Sequence, residues 1–261
     1  MLISIAMLKV VTFNVNSISA RLPIVQTFLK EHDPDVLMLQ ELKCITEKFP
    51  KEELESLGYH AYVYGQKAYN GVAILSKQPL SDVFTNLMSE DTAARYIEGV
   101  LPNGTIIGCV YVPNGNPVGS EKLTYKLLFM KQLQNRFRRL LDEGKSFIIG
   151  GDYNVIYDEK LDVYNPKAFL GDALFHPEVR KMFRVYLNMG VKNALRVIHP
   201  NDVIYTWYSY FRGDLSRDKG ILIDHLLVSP DMADKVSSAN ADMVTRKMER
   251  PSDHLPLIVT F

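Results

Sequence analysis

The chain has 261 residues, 47% of them hydrophobic, and its 30 lysines and arginines equal its 30 aspartates and glutamates. This length and composition are expected to give one domain with a sizeable core, spanning residues 1–261. The zero net charge excludes a protein held to nucleic acid by its overall field, although a local basic surface stays possible.

Cysteine usage and the amino terminus bear on location. Two cysteines give neither a disulfide framework nor a zinc cluster, so a reducing compartment is expected. No apolar run reaches the ~18–20 residues that span a bilayer. Residues 1–6 are apolar but lack the basic segment and cleavage pattern of a signal peptide, and we treat them as an N-terminal extension. We therefore expect a cytoplasmic protein, and a monomeric one.

Short β-branched or aromatic runs alternate along the chain with stretches of helical period. The runs that predict strands are Leu8–Val15, Asp35–Gln40, Tyr59–Tyr64, Val72–Ser76, Tyr96–Leu101, Thr105–Val112, Ser146–Ile149, Val203–Tyr208, Ile221–Val228 and Leu257–Phe261. The predicted helices are Leu22–Glu31, Ser120–Glu143 and Pro177–Met189. Between residues 59 and 112 the strands leave little room for helices, which favours largely antiparallel sheets over a doubly wound parallel one.

Three polar residues stand where predicted strands end, the places from which loops direct side chains into a site. Asn14 closes the first strand, Glu41 follows the apolar run 36–39, and Tyr111 closes a later strand. A carboxylate that leaves a core strand needs a partner, and a hard cation is one such partner. Each position also has an ordinary explanation: a turn for Asn14, a salt bridge for Glu41 and core packing for Tyr111.

Two further positions suit phosphate chemistry. Asp152 and Asn154 follow two glycines at the end of an apolar strand, and in an extended chain residues two apart point to one face. An Asx turn would explain the same pair. Asp253 and His254 lie between two prolines before the last strand, and histidine can transfer or share a proton near neutral pH. Asp224 is the best candidate to orient His254.

Together these positions supply carboxylate, amide and imidazole side chains without the Cys/His spacing of a zinc site. Oxygen ligands of this kind select Mg²⁺ or Mn²⁺ over zinc. A metal and hydrogen-bond donors are the groups that stabilise charge on phosphate oxygens, so phosphoryl chemistry is favoured. The glycine-rich phosphate loops G-x-x-x-x-G-K-[ST] and G-x-G-x-x-G are absent from the sequence, which argues against nucleotide-driven transfer.

In their order along the chain these motifs resemble the exonuclease III family of abasic-site endonucleases, within the wider endonuclease/exonuclease/phosphatase fold. The resemblance covers residues 7–261, and its most specific stretches are Phe13–Asn16, Leu39–Lys43, Gly65–Lys67, Gly71–Leu75, Gly151–Asn154, Tyr205–Trp207 and Met248–His254. It implies an α/β, four-layer α/β/β/α sandwich of two mostly antiparallel sheets flanked by helices. It also implies a Mg²⁺- or Mn²⁺-dependent hydrolase that cuts double-stranded DNA 5′ to abasic sites. The balance of this activity with 3′–5′ exonuclease and 3′-end trimming stays open.

The resemblance also implies a role for each site residue. The implied metal ligands are Asn14, Glu41, Asp152, Asn154, Asp253 and His254, with Glu41 as the principal one. The implied catalytic residues are Tyr111, Asp152, Asn154, Asp224 and His254. The implied substrate contacts are Asn16, Lys67, Asn114, Thr206, Trp207 and Lys219. Which group is the general base, and whether one or two metals bind, stay open.

Two other functions compete with this interpretation. The first is a nuclease or phosphatase of the same fold that acts on undamaged DNA, RNA or a small phosphoester. The second is a non-enzymatic module that binds DNA or protein. The segments Phe13–Asn16, Met248–His254 and the one around Trp207 favour DNA repair. The ordinary explanation of Trp207 is a buried core aromatic, and that of the basic loop 211–219 is a solvated loop.

Overall fold

The computed structural model describes residues 7–88, 90–211 and 213–261. The extension expected at residues 1–6, and Arg212 of the basic loop, lie outside the described residues. The strands are β1 (Lys9–Asn14), β2 (Val36–Gln40), β3 (His60–Tyr64), β4 (Val72–Ser76), β5 (Ser81–Thr85), β6 (Tyr96–Val100), β7 (Ile106–Tyr111), β8 (Phe147–Asp152), β9 (Lys192–Asn193), β10 (Trp207–Tyr208), β11 (Gly220–Ile221), β12 (Asp224–Val228), β13 (Ser238–Ala241) and β14 (Leu257–Thr260). The helices are α1 (Ile18–His32), α2 (Lys51–Glu55), α3 (Glu121–Asp142), α4 (Pro177–Asn188), α5 (Ala194–Ile198) and α6 (Pro230–Ala233).

Most of these strands form two six-stranded sheets. One has the order β13-β14-β1-β2-β4-β3 and the other the order β5-β6-β7-β8-β12-β9. The β1–β2 pair and the β7–β8 pair are parallel, and the other neighbours within both sheets are antiparallel. The mostly antiparallel sandwich expected from the sequence is therefore confirmed.

Alternating side chains explain why the sheets lie face to face with helices outside. In β1, Val10 belongs to the core between the two sheets, whereas its neighbour Val11 packs in the layer that also contains Phe28 of α1. The other outer face packs against α3 and α4, through residues such as Phe137 and Phe183. The result is four layers in the order α/β/β/α. Across the described residues, none of the helices is both long and apolar enough to cross a membrane.

The structure differs from the predicted elements at the edges of the sheets. The strand β5 was missed because all five of its residues are exposed, so it has no apolar run to reveal it. The predicted strand Val203–Tyr208 is wrong over its first half, and only Trp207–Tyr208 pairs with another strand. The predicted strand Ile221–Val228 is interrupted, because the Leu222 N–H donates to the Asp162 carbonyl oxygen outside the sheet.

The two glycines before Asp152 have the role expected of them. A Cβ at Gly151 would lie 1.8 Å from the carbonyl oxygen of Val110, so a side chain cannot be accommodated there. A Cβ at Gly150 would lie 2.4 Å from Cε of Met38 in the facing sheet. The close approach of β8 to β7 therefore depends on glycine at position 151, whereas at Gly150 the flexible end of the Met38 side chain can give way. The approach at Gly151 fixes the position from which Asp152 leaves the strand.

Candidate active site

The ends of the central strands of both sheets meet at one edge of the molecule. In the parallel pair β1–β2, Asn14 lies opposite Gln40, the residue before Glu41. In the other sheet Asp152 closes β8 and lies opposite Asp224, which opens the antiparallel strand β12. Strand order thus brings together polar residues that are far apart in the sequence.

Asn14 connects the two sheets through its side-chain amide. Its Nδ2 donates to Oε1 of Glu41 at 2.9 Å and to Oδ2 of Asp152 at 3.0 Å. The Tyr111 hydroxyl donates to the same Glu41 oxygen at 2.9 Å. Two carboxylates are thus fixed side by side by neutral donors. This arrangement places Asn14 and Tyr111 where the sequence predicted a site.

His254 and Asp224 form the expected pair. Nδ1 of His254 donates to Oδ2 of Asp224 at 2.9 Å, and both side chains are buried. The other ring nitrogen, Nε2, lies 3.8 Å from Oδ2 of Asp152. A carboxylate on one side of an imidazole fixes its orientation and favours its protonated form. His254 therefore directs an N–H towards the space beside Asp152.

Burial and neighbouring charges shift the pKa values of this pair in a definite direction. The pKa of Asp152 is raised by burial and by the Asp224 and Glu41 carboxylates, although His254 opposes the shift. Burial lowers the pKa of His254, but the adjoining Asp224 and Asp152 carboxylates more than offset this and raise it overall. His254 is thus a stable cation, and Asp152 is a more basic carboxylate than an exposed aspartate.

The donor set fits a hard divalent cation. Oxygen atoms of Glu41 and Asp152 and a nitrogen of His254 lie within 4.8 Å of one another, and they form the one such group of acidic, histidine or cysteine side chains among the described residues. A protonated His254 has no lone pair for a metal, so the candidate ligands in this group are the carboxylates. Burial, and to a smaller extent the Asp224 and Glu41 carboxylates, raise the pKa of Asp152, so its ionised form is costly in this site. Carboxylate oxygens are the ligands that Mg²⁺ and Mn²⁺ prefer.

Two of the implied metal ligands have other partners in this structure. The Oδ1 of Asn14 accepts from the backbone N–H of Asn16 at 3.0 Å, so its nitrogen, not its oxygen, faces the carboxylates. The two oxygens of Asp253 accept from Asn16 Nδ2 at 2.9 Å and from Trp207 Nε1 at 3.0 Å. These contacts hold Asn14 and Asp253 within the site, and their roles as metal ligands stay predictions.

Lys43 belongs to the Leu39–Lys43 motif, but the sequence analysis gave it no role in the site. Its Nζ lies 2.9 Å from Oε2 of Glu41 and also donates to Oδ1 of Asn16. Burial raises the pKa of Glu41, but Asn14, His254 and Lys43 together lower it. Glu41 is therefore kept ionised. A lysine two residues after a strand-end carboxylate was a signal that could have revealed this pair.

Several site residues have left-handed backbone conformations, which are unusual for residues other than glycine. The φ angles are 47° at Asn16, 53° at Glu41, 55° at Lys43 and 50° at Asn154. Each such conformation costs free energy that the surrounding contacts must offset, and such residues cluster at functional sites. The strand ends are thus bent to direct side chains into the site.

A cavity of about 330 Å³ opens beside the two carboxylates. Its polar wall includes Glu41, Asp152, Asn154, Asp253 and His254, and Asn114 and Tyr111 also line it. Its apolar wall includes Phe169, Leu174, Trp207, Ile221 and Ile223. The apolar wall comes partly from the segment 166–174, which could not be predicted because it has no strand or helix pattern.

The implied substrate contacts are distributed unevenly around this cavity. Asn114 and Trp207 line it, and the Asn114 amide faces Oδ1 of Asn154 at 3.4 Å. Lys67 is exposed in the loop after β3, and Nζ of Lys219 lies 5.9 Å from the centroid of the Tyr164 ring. Contact of these two lysines with DNA stays a prediction.

Thr206 has a different place from the one implied. Its side chain is 0% exposed, and its hydroxyl oxygen accepts from the backbone N–H groups of Ile223 at 3.3 Å and Asp224 at 3.2 Å. A buried hydroxyl cannot contact substrate in this structure. Thr206 instead fixes the start of β12, and with it the carboxylate that orients His254.

We expect Thr206→Val to lower kcat for phosphodiester cleavage by ~10–100-fold while KM changes little. The reason is that a small displacement of Asp224, and so of His254, has effects of this size. The variant leaves two buried N–H groups without an acceptor and so also costs about 1–3 kcal/mol of stability. Steady-state kinetics and thermal unfolding measure the two effects. Thr124→Val, at an exposed position of α3, is the control. Unchanged kcat in Thr206→Val would show that Asp224 needs no such support.

A buried arginine fixes the loops that carry Asp253 and Trp207. Arg246 donates to the carbonyl oxygens of Ser252 at 2.8 Å, Tyr208 at 3.1 Å and Ser209 at 3.0 Å. Its guanidinium carbon also lies 4.9 Å from the centroid of the Tyr210 ring. The sequence does not reveal this role, because the three acceptors are backbone carbonyl oxygens and not side chains.

Comparisons with known proteins agree with this fold and site. A model of the endonuclease/exonuclease/phosphatase family matches residues 11–254, and the chain belongs to this family. It is a hydrolase, as are its relatives. Exodeoxyribonuclease III of Haemophilus influenzae is 32% identical over 97% of this chain and 100% of its own length.

Solved structures are similar over almost the whole chain. An AP endonuclease from Archaeoglobus fulgidus has a TM-score of 0.93 and 38% identity, covering 97% of this chain and 99% of its own. A 3′–5′ exonuclease from Neisseria meningitidis has a TM-score of 0.93 and 36% identity with the same coverage. A Neisseria structure of the same similarity is described as a 3′ phosphatase bound to product DNA hairpin. The resemblance seen in the sequence motifs is thus confirmed.

Proposed function

We propose that this chain is a divalent-metal-dependent DNA phosphodiesterase of the exonuclease III type, which hydrolyses the backbone 5′ to abasic sites in duplex DNA. Its relatives include an exodeoxyribonuclease III and an AP endonuclease. The observation that carries the proposal is the meeting of Glu41, Asp152 and the His254–Asp224 pair beside one cavity. Trimming of blocked 3′ ends is a second reaction that the same groups support.

Glu41 is the residue that would hold a Mg²⁺ or Mn²⁺ ion, and Asp152 lies beside it as the candidate base. When bound, the ion would supply Lewis-acid stabilisation of charge on the phosphate oxygens. Nζ of Lys43 forms an ion pair with Oε2 of Glu41. This contact helps to keep the carboxylate ionised, as a metal ligand must be.

The shifted pKa values divide the acid and base roles between Asp152 and His254. The raised pKa of Asp152 makes its carboxylate a better proton acceptor, so Asp152 is the base that takes a proton from the attacking water. His254 is protonated beside Asp224 and has no free lone pair, so it donates an N–H to a phosphate oxygen and stabilises its charge.

The reaction is balanced with these roles. The oxygen of water forms a bond to phosphorus, and the bond from phosphorus to the 3′ oxygen of the preceding nucleotide breaks. One proton passes from water to Asp152, and the departing 3′ oxygen gains one proton. That proton comes from solvent water. Burial and the Glu41 and Asp152 carboxylates raise the pKa of Tyr111, so its hydroxyl stays protonated and donates a hydrogen bond to the departing oxygen. The products are a 3′ hydroxyl and a 5′ phosphate on the abasic sugar.

The apolar wall of the cavity supports an abasic substrate. An enzyme that acts on a damaged nucleotide takes it out of the stack into a close-fitting pocket, and unstacking costs least where a base is missing. The walls formed by Phe169, Leu174 and Trp207 suit the carbon face of a sugar without its base. The Nε1–H of Trp207 is bonded to Asp253, which fixes the ring against this wall.

A gel assay with a labelled duplex that contains one tetrahydrofuran abasic analogue tests the proposal. The analogue cannot undergo β-elimination, so a nick there requires hydrolysis. We expect cleavage 5′ to the analogue with Mg²⁺, none with EDTA, and much slower cutting of an undamaged duplex. Preferential cutting of undamaged DNA, RNA or a small phosphomonoester would instead assign the site to another phosphoester.

Glu41→Gln distinguishes the enzyme from a non-enzymatic binding module. The variant keeps the shape of the side chain but removes its charge, so we expect loss of Mg²⁺-dependent cleavage by ~10²-fold or more. Glu52→Gln, at an exposed position of α2, is the matched control and should cut at the wild-type rate. Equal activity of Glu41→Gln and wild type would remove Glu41 from the metal site.

We further propose that the chain works as one domain, as a monomer and in the cytoplasm. The two sheets share one core, and each supplies part of the same site. Light scattering of the purified protein tests the monomer, and a mass near 29.7 kDa is the expected result. A dimer mass would contradict this part of the proposal.

A further inference from the structure

Lys126 is a buried lysine that none of the roles above uses. It lies on α3, but its side chain is 0% exposed. Its Nζ donates to the carbonyl oxygens of Asn154 at 2.6 Å, Asn114 at 3.0 Å and Ala173 at 3.4 Å. Three carbonyl oxygens match the three N–H donors of an ammonium group. Among the described residues no carboxylate lies within ion-pair distance of it.

Burial of a lysine is costly, and an apolar residue is the usual occupant of such a position. The neighbouring buried positions of α3 are apolar, for example Leu123, Phe129 and Met130. Core packing therefore does not explain the amino group. Its three backbone partners do, because each belongs to a different segment at the edge of the active-site cavity.

The segment at Asn154 needs such a contact. Asn154 has a left-handed φ of 50°, its N–H donates to Oδ1 of Asp152 at 2.8 Å, and its amide donates to the Val112 carbonyl at 3.0 Å. Its own carbonyl oxygen is the atom that Lys126 contacts at 2.6 Å. The left-handed conformation that orients Asp152 is thus fixed at both ends of the residue.

The other two contacts reach the same cavity. The Asn114 side chain lines it and faces Oδ1 of Asn154 at 3.4 Å. Ala173 lies between Asp172 and Leu174, which line it as well. Space for the lysine stem depends on a missing side chain, since a Cβ at Gly115 would lie 2.7 Å from Cδ of Lys126.

We propose that Lys126 is a positioning residue, whose amino group joins the backbone at Asn114, Asn154 and Ala173 and so fixes the two asparagines and Asp152 for the reaction. The inference rests on the proposed function of the site. Burial lowers the pKa of Lys126 to about 7, and the Asp152 and Asp172 carboxylates act in the opposite direction. The positioning role requires donors but not charge, because a neutral amine keeps two N–H groups.

Lys126→Met, which removes the donors but keeps the stem, is the decisive variant. On the tetrahydrofuran duplex we expect its kcat to fall ~10–100-fold with KM within about threefold of wild type, as for a misplaced catalytic group. Lys126→Arg, which restores donors, should recover most of the loss. Lys131→Met, at an exposed position of the same helix, is the control. A Lys126→Met enzyme with wild-type kcat would overturn the proposal, whatever its stability.

Hydrogen exchange of the metal-free protein is a readout that needs no activity. We expect faster exchange in Lys126→Met at residues 112–116, 150–156 and 172–174, with exchange elsewhere as in wild type and in Lys131→Met. If Lys126→Met does not fold, Lys126→Leu, which also lacks N–H donors, takes its place in both measurements with the same expected loss. Unchanged exchange in all three segments would overturn the proposal, whereas a wild-type protein that leaves the abasic duplex uncut would defeat only the proposed function.

Discussion

Asp152→Asn is expected to lower cleavage of the abasic duplex by ~10²–10⁴-fold, the range for loss of a general base. The carboxamide cannot accept a proton from water, and it removes the carboxylate that lies beside Glu41. Single-turnover cleavage at saturating enzyme measures the chemical step directly. Asp82→Asn, an exposed position on β5, should cut at the wild-type rate. Cleavage by Asp152→Asn within tenfold of wild type would assign the base to another group.

Asp152→Asn is expected to lower activity but to make the protein relatively more stable than wild type as the pH rises. The pKa of Asp152 is raised in the folded protein, chiefly by burial. A carboxyl group with a raised pKa contributes stability that is present below its unfolded pKa, about 3.9, and that is lost as the pH rises through the folded pKa. The carboxamide of the Asp152→Asn protein does not ionise, so the variant has no such loss.

Thermal unfolding in EDTA between pH 4 and 8 measures this effect. The difference in Tm between the Asp152→Asn protein and wild type should shift in favour of the variant as the pH rises. A difference that is constant over this range would mean that Asp152 ionises in the folded protein as it does in the unfolded chain. The ionised form of Asp152 would then carry no extra cost in this site.

His254→Ala is expected to lower kcat by ~10²–10⁴-fold and to leave the fold intact. The variant removes the N–H that Asp224 directs towards the phosphate, and electrostatic stabilisation of this kind is among the largest catalytic contributions. It also leaves the Asp224 carboxylate buried without its cation, so some loss of stability accompanies the loss of rate. Steady-state kinetics and circular dichroism separate the two effects.

Two further variants define the role of His254. His60→Ala, an exposed histidine of β3, controls for the loss of an imidazole and should retain full activity. Asp224→Asn keeps the shape of the pair but removes the charge that raises the pKa of His254, and it should lower activity most at the alkaline end of the pH profile. Near-wild-type rates in His254→Ala would remove this residue from the mechanism.

Local pattern was enough to predict most of the elements of this fold. Strands with alternating or continuous apolar residues, such as β2 and β12, were found because each is buried. The edge strand β5 was not, because an exposed strand is stabilised by its hydrogen bonds to β6 and has no apolar pattern. Elements are thus predictable where burial selects the side chains.

The site could be predicted in part for a related reason. Glu41 and Asp152 lie next to or at the end of a buried strand, and His254 lies in the short segment before the last strand, so their position along the chain already indicated that they reach the sheet edge. The roles of Thr206 and Lys126 could not be predicted, because their partners are backbone groups of distant segments. Almost every residue has a backbone N–H and a carbonyl oxygen, so residue type does not show which of these groups a distant side chain contacts.

The sequence by itself determined which residues of this protein can do phosphate chemistry and that they stand at strand ends, since both follow from residue type and from the period of apolar side chains. Only the tertiary structure decided their partners. Asn14 and Asp152 are 138 residues apart, yet a hydrogen bond of 3.0 Å joins them across the two sheets. Contacts of this kind depend on strand order and sheet packing, which bring together groups that no local pattern relates.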